Sequence, residues 1–192
     1  MINVLGLTGS PVADSSTEIL VKEVLRGAAE KGADTELIYL NEFEIMPCQA
    51  CGQTPENGYC FFSDGMTELY EKFEACDAIV IGSPIYFDSV SAQTKLFIDR
   101  TNCFRSIDPD KPGEYTPRFS QKRRGAIVLV GGEREQFEFA RRVIGGFFVW
   151  AGIENLGLVS FAYKGFEKGA AAHDKRIMKQ AFDMGKKLAA KK

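Results

Sequence analysis

Apolar runs alternate with helix-patterned stretches along this chain, and that alternation constrains its fold more than any other feature. Residues 2–7 are apolar apart from Asn3 and Gly6 and stop at Thr8-Gly9-Ser10-Pro11, the pattern of a buried strand ending in a loop. Asp14, Ser15 and Ser16 are N-cap candidates. Val21, Val24, Leu25 and Ala28 follow at helical spacing, with Gly32 as a stop. Residues 36–40 form a second strand. After an irregular stretch at 48–60, residues 65–75 set Met66, Leu69, Tyr70 and Phe73 on one helical face. A third strand at 78–81 breaks at Gly82-Ser83-Pro84, and Ser89 or Ser91 caps the helix carrying Leu96 and Phe97. The Pro-bearing stretch 104–121 reads as a long loop. A fourth strand at 126–130 ends in Gly131-Gly132, a helix spans 136–150, a fifth strand 155–161, and a last helix 170–188. Such alternation predicts an α/β fold: a doubly wound, five-stranded parallel sheet with helices on both faces, in one domain spanning 1–192.

Charge narrows the partners. The 192 residues carry 24 basic and 26 acidic side chains, a net charge of -2, without the basic excess of a nucleic-acid binder. Lys122-Arg123-Arg124 is read as a solvated loop before a strand. No apolar run is long enough to cross a bilayer, and the first residues lack a signal-peptide pattern, so a cytoplasmic protein is expected. Five unevenly spaced cysteines do not describe a secreted disulfide scaffold. One histidine and no G-x-S-x-G element leave no basis for a hydrolytic triad.

Ligands of open α/β sheets bind beyond the carboxyl ends of the strands, where strand order reverses. The loop after the first strand supplies Ser10, Ser15, Ser16 and Thr17 at a helix start. Unpaired amides and a partial positive charge there favour a phosphate, although a simple capped helix would need only one serine. The spacing is neither a dinucleotide fingerprint nor a Walker loop. The loop after the third strand, GSPIYFDS at 82–89, suits a flat apolar ligand or, equally, a buried turn.

The segment 82–100, GSPIYFDSVSAQTKLFIDR, resembles the signature of the flavodoxin-like NADPH-dependent FMN reductase and iron–sulfur flavoprotein families. The resemblance implies a flavodoxin-like fold, bound FMN, and a homodimer or homotetramer. It implies that Ser10, Ser15, Ser16 and Thr17 hold the phosphate, while Pro84, Ile85, Tyr86, Phe87, Gly131 and Gly132 contact the ring. It further implies an oxidoreductase that passes electrons from NAD(P)H, or from a protein electron donor such as ferredoxin, to a small-molecule acceptor such as a quinone or flavin. No side chain is nominated as a catalytic acid or base, because the cofactor carries the electron chemistry. Two departures stand out. Val12 occupies a position that is often basic in the family, and Thr54 stands where the related run C-x2-C-x2-C-x4–7-C has its third cysteine. With Cys48, Cys51 and Cys60 alone, no four-iron cluster and no metal is expected. Cys76 and Cys103 are read as small core residues on helices.

Overall fold

The computed structural model describes residues 1–51, 59–107, 115–117, 121–163, 165 and 167–190. Five long strands make the main sheet: β1 (Asn3–Thr8), β2 (Asp34–Tyr39), β3 (Ala78–Tyr86), β7 (Arg123–Gly132) and β8 (Ile153–Tyr163). Between them run α1 (Ser16–Ala29), α2 (Met66–Ala75), α3 (Ala92–Arg100), α4 (Phe137–Trp150) and, last, α5 (Lys175–Leu188). The strands lie parallel in the order β2-β1-β3-β7-β8, the flavodoxin-like order, with its switch point between β1 and β3. A short strand β4 (Ser89–Val90) folds back antiparallel on the end of β3. Strands β5 (Arg105–Ile107) and β6 (Tyr115–Pro117) form a separate antiparallel pair, so part of the expected long loop is a hairpin. Among the described residues no helix is long and apolar enough to cross a membrane.

The strand period of two divides the core. Ile79, Ile81, Ile127 and Leu129 point to one face with Phe73, Phe97, Ile144 and Phe147. Ala78, Val80, Ala126 and Val128 point to the other, beneath Val21, Val24, Ile177 and Ala181 of α1 and α5. Smaller side chains on this second face let the two helices settle deep. Gly82 is part of that fit, since a Cβ there would strike Val21 and Thr17. A Cβ at Gly185 of α5 would likewise run into the Val24 carbonyl of α1.

Three expectations need correction. Strand β3 does not stop at Gly82 but runs on to Tyr86. Its pairing with β1 ends at Gly82, while Ser83 and Pro84 stay in register with Leu129 and Val130 of β7. Pro84 therefore sits where one side is open and its missing N–H costs no ladder bond. The last helix begins at Lys175, capped by Asp174, and residues 170–173 form a 3₁₀ turn. Arg123 is buried rather than solvated: its Nε and Nη2 donate to the Cys76 and Glu74 carbonyls at 3.0 and 2.9 Å, and it lies over the Phe73 ring.

Candidate cofactor site

Buried hydroxyls stitch the loops after β1 and β3 together. Ser91, the N-cap of α3, accepts from the Thr94 amide at 3.3 Å and donates to the Gly9 carbonyl at 2.7 Å. Its own amide donates to Ser83 Oγ at 2.9 Å, and the Gly9 amide donates to the Gly82 carbonyl at 2.8 Å. Ser83, Ser91 and Thr94 have no exposed surface. In such a setting hydrogen bonds fix geometry firmly, because losing one leaves a polar group dry.

The end of α1 faces the cleft beside these loops. Ser15 is its N-cap and takes up the Glu18 amide, which leaves the first amides of the helix without intrahelical acceptors. A buried carboxylate, Glu18, also lies here, but its charge is spoken for. Burial opposes its ionisation; hydrogen bonds from Lys22, Tyr39 and the Asp14 amide outweigh that and hold it below the usual carboxylate range. The four expected hydroxyls differ in freedom. Ser10 is closed on the backbone of Val12, Ser16 accepts from the Ala171 amide at 3.1 Å, and Thr17 is buried.

Beyond Pro84, residues Tyr86 to Ser89 make a two-residue hairpin with Phe87 at φ 51° and Asp88 at φ 61°, as a primed turn requires. Phe87 stands at its tip, 100% exposed and not among the residues that line the cleft. Asp88 accepts from the Gln136 amide at 2.7 Å and so ties the hairpin to the start of α4. At the end of β7, Glu135 folds back to accept from the Gly132 amide. Burial, with Tyr163 and Glu135 nearby, pushes the Tyr86 phenol up.

These elements bound a cleft of about 850 Å³ at the carboxyl edge of the sheet, within the size range of small-molecule sites. Every expected site residue except Phe87 lines it: Ser10, Ser15, Ser16, Thr17, Pro84, Ile85, Tyr86, Gly131 and Gly132. Sequence reasoning missed Glu135, Tyr163 and the β8–α5 connection with Lys168 and Gly169. Only the paired glycines Gly165 and Gly169, both at positive φ, hinted at a shaped loop there.

Residues 2–161 match the model of the family described as NADPH-dependent FMN reductase. The chain belongs to the NADPH-dependent FMN reductase family. It is 40% identical over 104 residues to an iron-sulfur flavoprotein of Methanocaldococcus jannaschii, covering 54% of each chain. It is 31% identical over 134 residues to an iron-sulfur flavoprotein of Methanosarcina thermophila, covering 69% of this chain and 65% of that one. The matches thus span about half to two-thirds of these curated relatives. Among solved structures it is similar in fold to the NAD(P)H:quinone oxidoreductase from Methanothermobacter marburgensis, with TM-score 0.73 and 16% identity over 100% of this chain and 98% of that one. An FMN-dependent NADH-azoreductase from Bacillus anthracis, in complex with FMN, gives TM-score 0.67 and 15% identity over 98% and 100%.

The family is one of FMN reductases, and the donor set of the cleft fits FMN. One end of the cleft offers helix amides and hydroxyls, its wall offers Pro84, Ile85 and Tyr86, and its far end offers the backbone of Gly131 and Gly132. For an iron–sulfur cluster the run offers Cys48, Cys51 and Cys60, three thiolates where four are usual. Cys48 and Cys60 are half-buried and Cys51 is exposed, while Thr54 falls outside the described residues. Among the described residues no three metal-binding side chains come together. Cys76 is a core thiol, pushed up to about 12 by burial. Cys103, expected on a helix, lies in the 3₁₀ turn after α3 and donates to the Arg100 carbonyl. Its neighbour Asn102 reaches Cys48 Sγ at 3.7 Å.

Proposed function

We propose that the chain takes electrons from NADPH or NADH and delivers them through FMN to a small acceptor such as a quinone or a flavin. The supporting observation is the single cleft shared by the α1 end, the β3 hairpin and the β7 turn, which matches a ligand with one phosphate and one flat ring. Bound FMN supplies a ring that can take two electrons from a nicotinamide and release them to the acceptor. Protein groups bind and orient. The amides at the start of α1, with the hydroxyls of Ser10, Ser15 and Ser16, hold the phosphate. Thr17 supports that turn from beneath, buried against β3. Pro84, Ile85 and Tyr86 press on the ring, and Gly131 and Gly132 let the backbone approach its polar edge. Tyr86 stays neutral and can donate a hydrogen bond. No proton transfer is assigned to a side chain, and no step runs through an iron–sulfur cluster, because the cysteine run with Thr54 offers three thiolates where four are usual.

The same proposal includes a homodimer or homotetramer, supported by the exposed Phe139, Val149 and Trp150 of α4, and a cytoplasmic setting, in keeping with the uneven spacing of the five cysteines. Anaerobic mixing tests the electron path. Bleaching of the bound flavin by NADPH or NADH is expected. Bleaching by reduced ferredoxin alone would replace the nicotinamide with a protein donor, and failure to bind FMN at all would refute the reading.

A further inference from the structure

Lys168 lines the α1 end of the cleft from the connection between β8 and α5. Its Nζ lies 3.3 Å from Asp14 Oδ2, directly before the N-cap of α1. The connection is pinned in place: the Ala171 amide donates to Ser16 Oγ at 3.1 Å, and Gly169 packs against the Asp14 carbonyl and Ile19. The basic residues of α1 itself are engaged elsewhere. Lys22 is bonded to Glu18, and Arg26 is bonded to Glu23 and lies over the Phe182 ring. Among the described residues that line the cleft, the other cation is Arg134, which belongs to the β7 end.

A phosphate monoester brings nearly two negative charges, and a helix end contributes only about half a positive one. Val12, beside the same turn, adds none. We propose that Lys168 is the counter-charge for the cofactor's phosphate and sets the preference for FMN over riboflavin. This rests on the FMN reading above. Both partners of the Lys168–Asp14 pair are more than half exposed, so the pair is weak and exchanges readily for a stronger anion. Asp14 holds the ammonium over the α1 end until the phosphate arrives.

The test compares FMN and riboflavin affinities by quenching of flavin fluorescence in the full chain. Wild type should favour FMN. Lys168→Gln should weaken FMN binding about tenfold, the effect of one solvent-touched hydrogen bond to a charged group, and leave riboflavin unchanged. Lys168→Arg should recover most of the loss, and added salt should weaken FMN less in Lys168→Gln than in wild type. A clear wild-type preference for FMN that survives Lys168→Gln overturns the role of Lys168 alone, as does an equal loss for both flavins. No preference in wild type, or no flavin binding, overturns the FMN reading and Lys168 with it.

Discussion

Replacing Ser91 with alanine removes one hydroxyl that does two jobs. It caps α3 at the Thr94 amide and holds the Gly9 carbonyl in the loop after β1. Loss of an N-cap costs about 1 kcal/mol. Leaving the buried Gly9 carbonyl without its donor adds about 1–2 kcal/mol, so Ser91→Ala should destabilise the chain by about 2–3 kcal/mol. With a urea m-value of about 2–3 kcal/mol/M for a chain of this size, the midpoint should fall by about 1 M. Ser89 is the built-in control. It stands two residues earlier, looks equally suited to cap the helix, and lies instead in β4 opposite Tyr86. Ser89→Ala should cost less than about 0.5 kcal/mol. Ser91→Ala should also weaken FMN binding, because Gly9 and Gly82 would lose their fixed spacing. Equal midpoints for the two variants, or a larger loss at Ser89, would refute the argument that Ser91 joins the loops.

Gly185→Ala should destabilise the chain by more than about 2 kcal/mol in thermal or urea unfolding, because its Cβ meets backbone of α1 that cannot step aside. Gly146→Ala on α4, with open space around its Cβ, should instead stabilise by up to about 1 kcal/mol. Burial works against ionising Asp64, but hydrogen bonds from Arg100 and from the Met46 and Met66 amides hold its carboxyl below the ordinary value of 3.8. Its stabilisation is therefore full above that value and lost as pH falls through the lower folded one. Asp64→Asn should be less stable by about 3 kcal/mol near neutrality, and urea midpoints taken down to pH 3 should show the gap to wild type closing. Iron and acid-labile sulfide assays on anaerobically prepared protein should find less than about one iron per chain, given three thiolates in the run. A value near four, abolished by Cys103→Ser, would show that Cys103 completes the ligand set.

The sheet was legible because its strands are buried on both faces and stand out as apolar runs, and because small residues end β1 and β7. What stayed hidden depended on pairing. Pro84 signals a strand end locally, yet it is harmless where only β7 pairs with it. Phe87-Asp88 lacks the glycine that usually marks a primed turn, so nothing in the sequence put Phe87 on a hairpin tip. Lys168 was invisible for another reason: its place over α1 is fixed by contacts 154 and 155 residues apart in the chain.

That long reach bears on when the site can exist. The residues read as the phosphate seat are synthesised long before residues 168–171, and the seat lacks its roof until those arrive and Ala171 finds Ser16. A nascent chain stalled after β8 would hold both ring-facing loops but not the finished phosphate end. On that reading cofactor capture would wait for this later segment, and loading FMN would report that residues 168–171 have docked on α1.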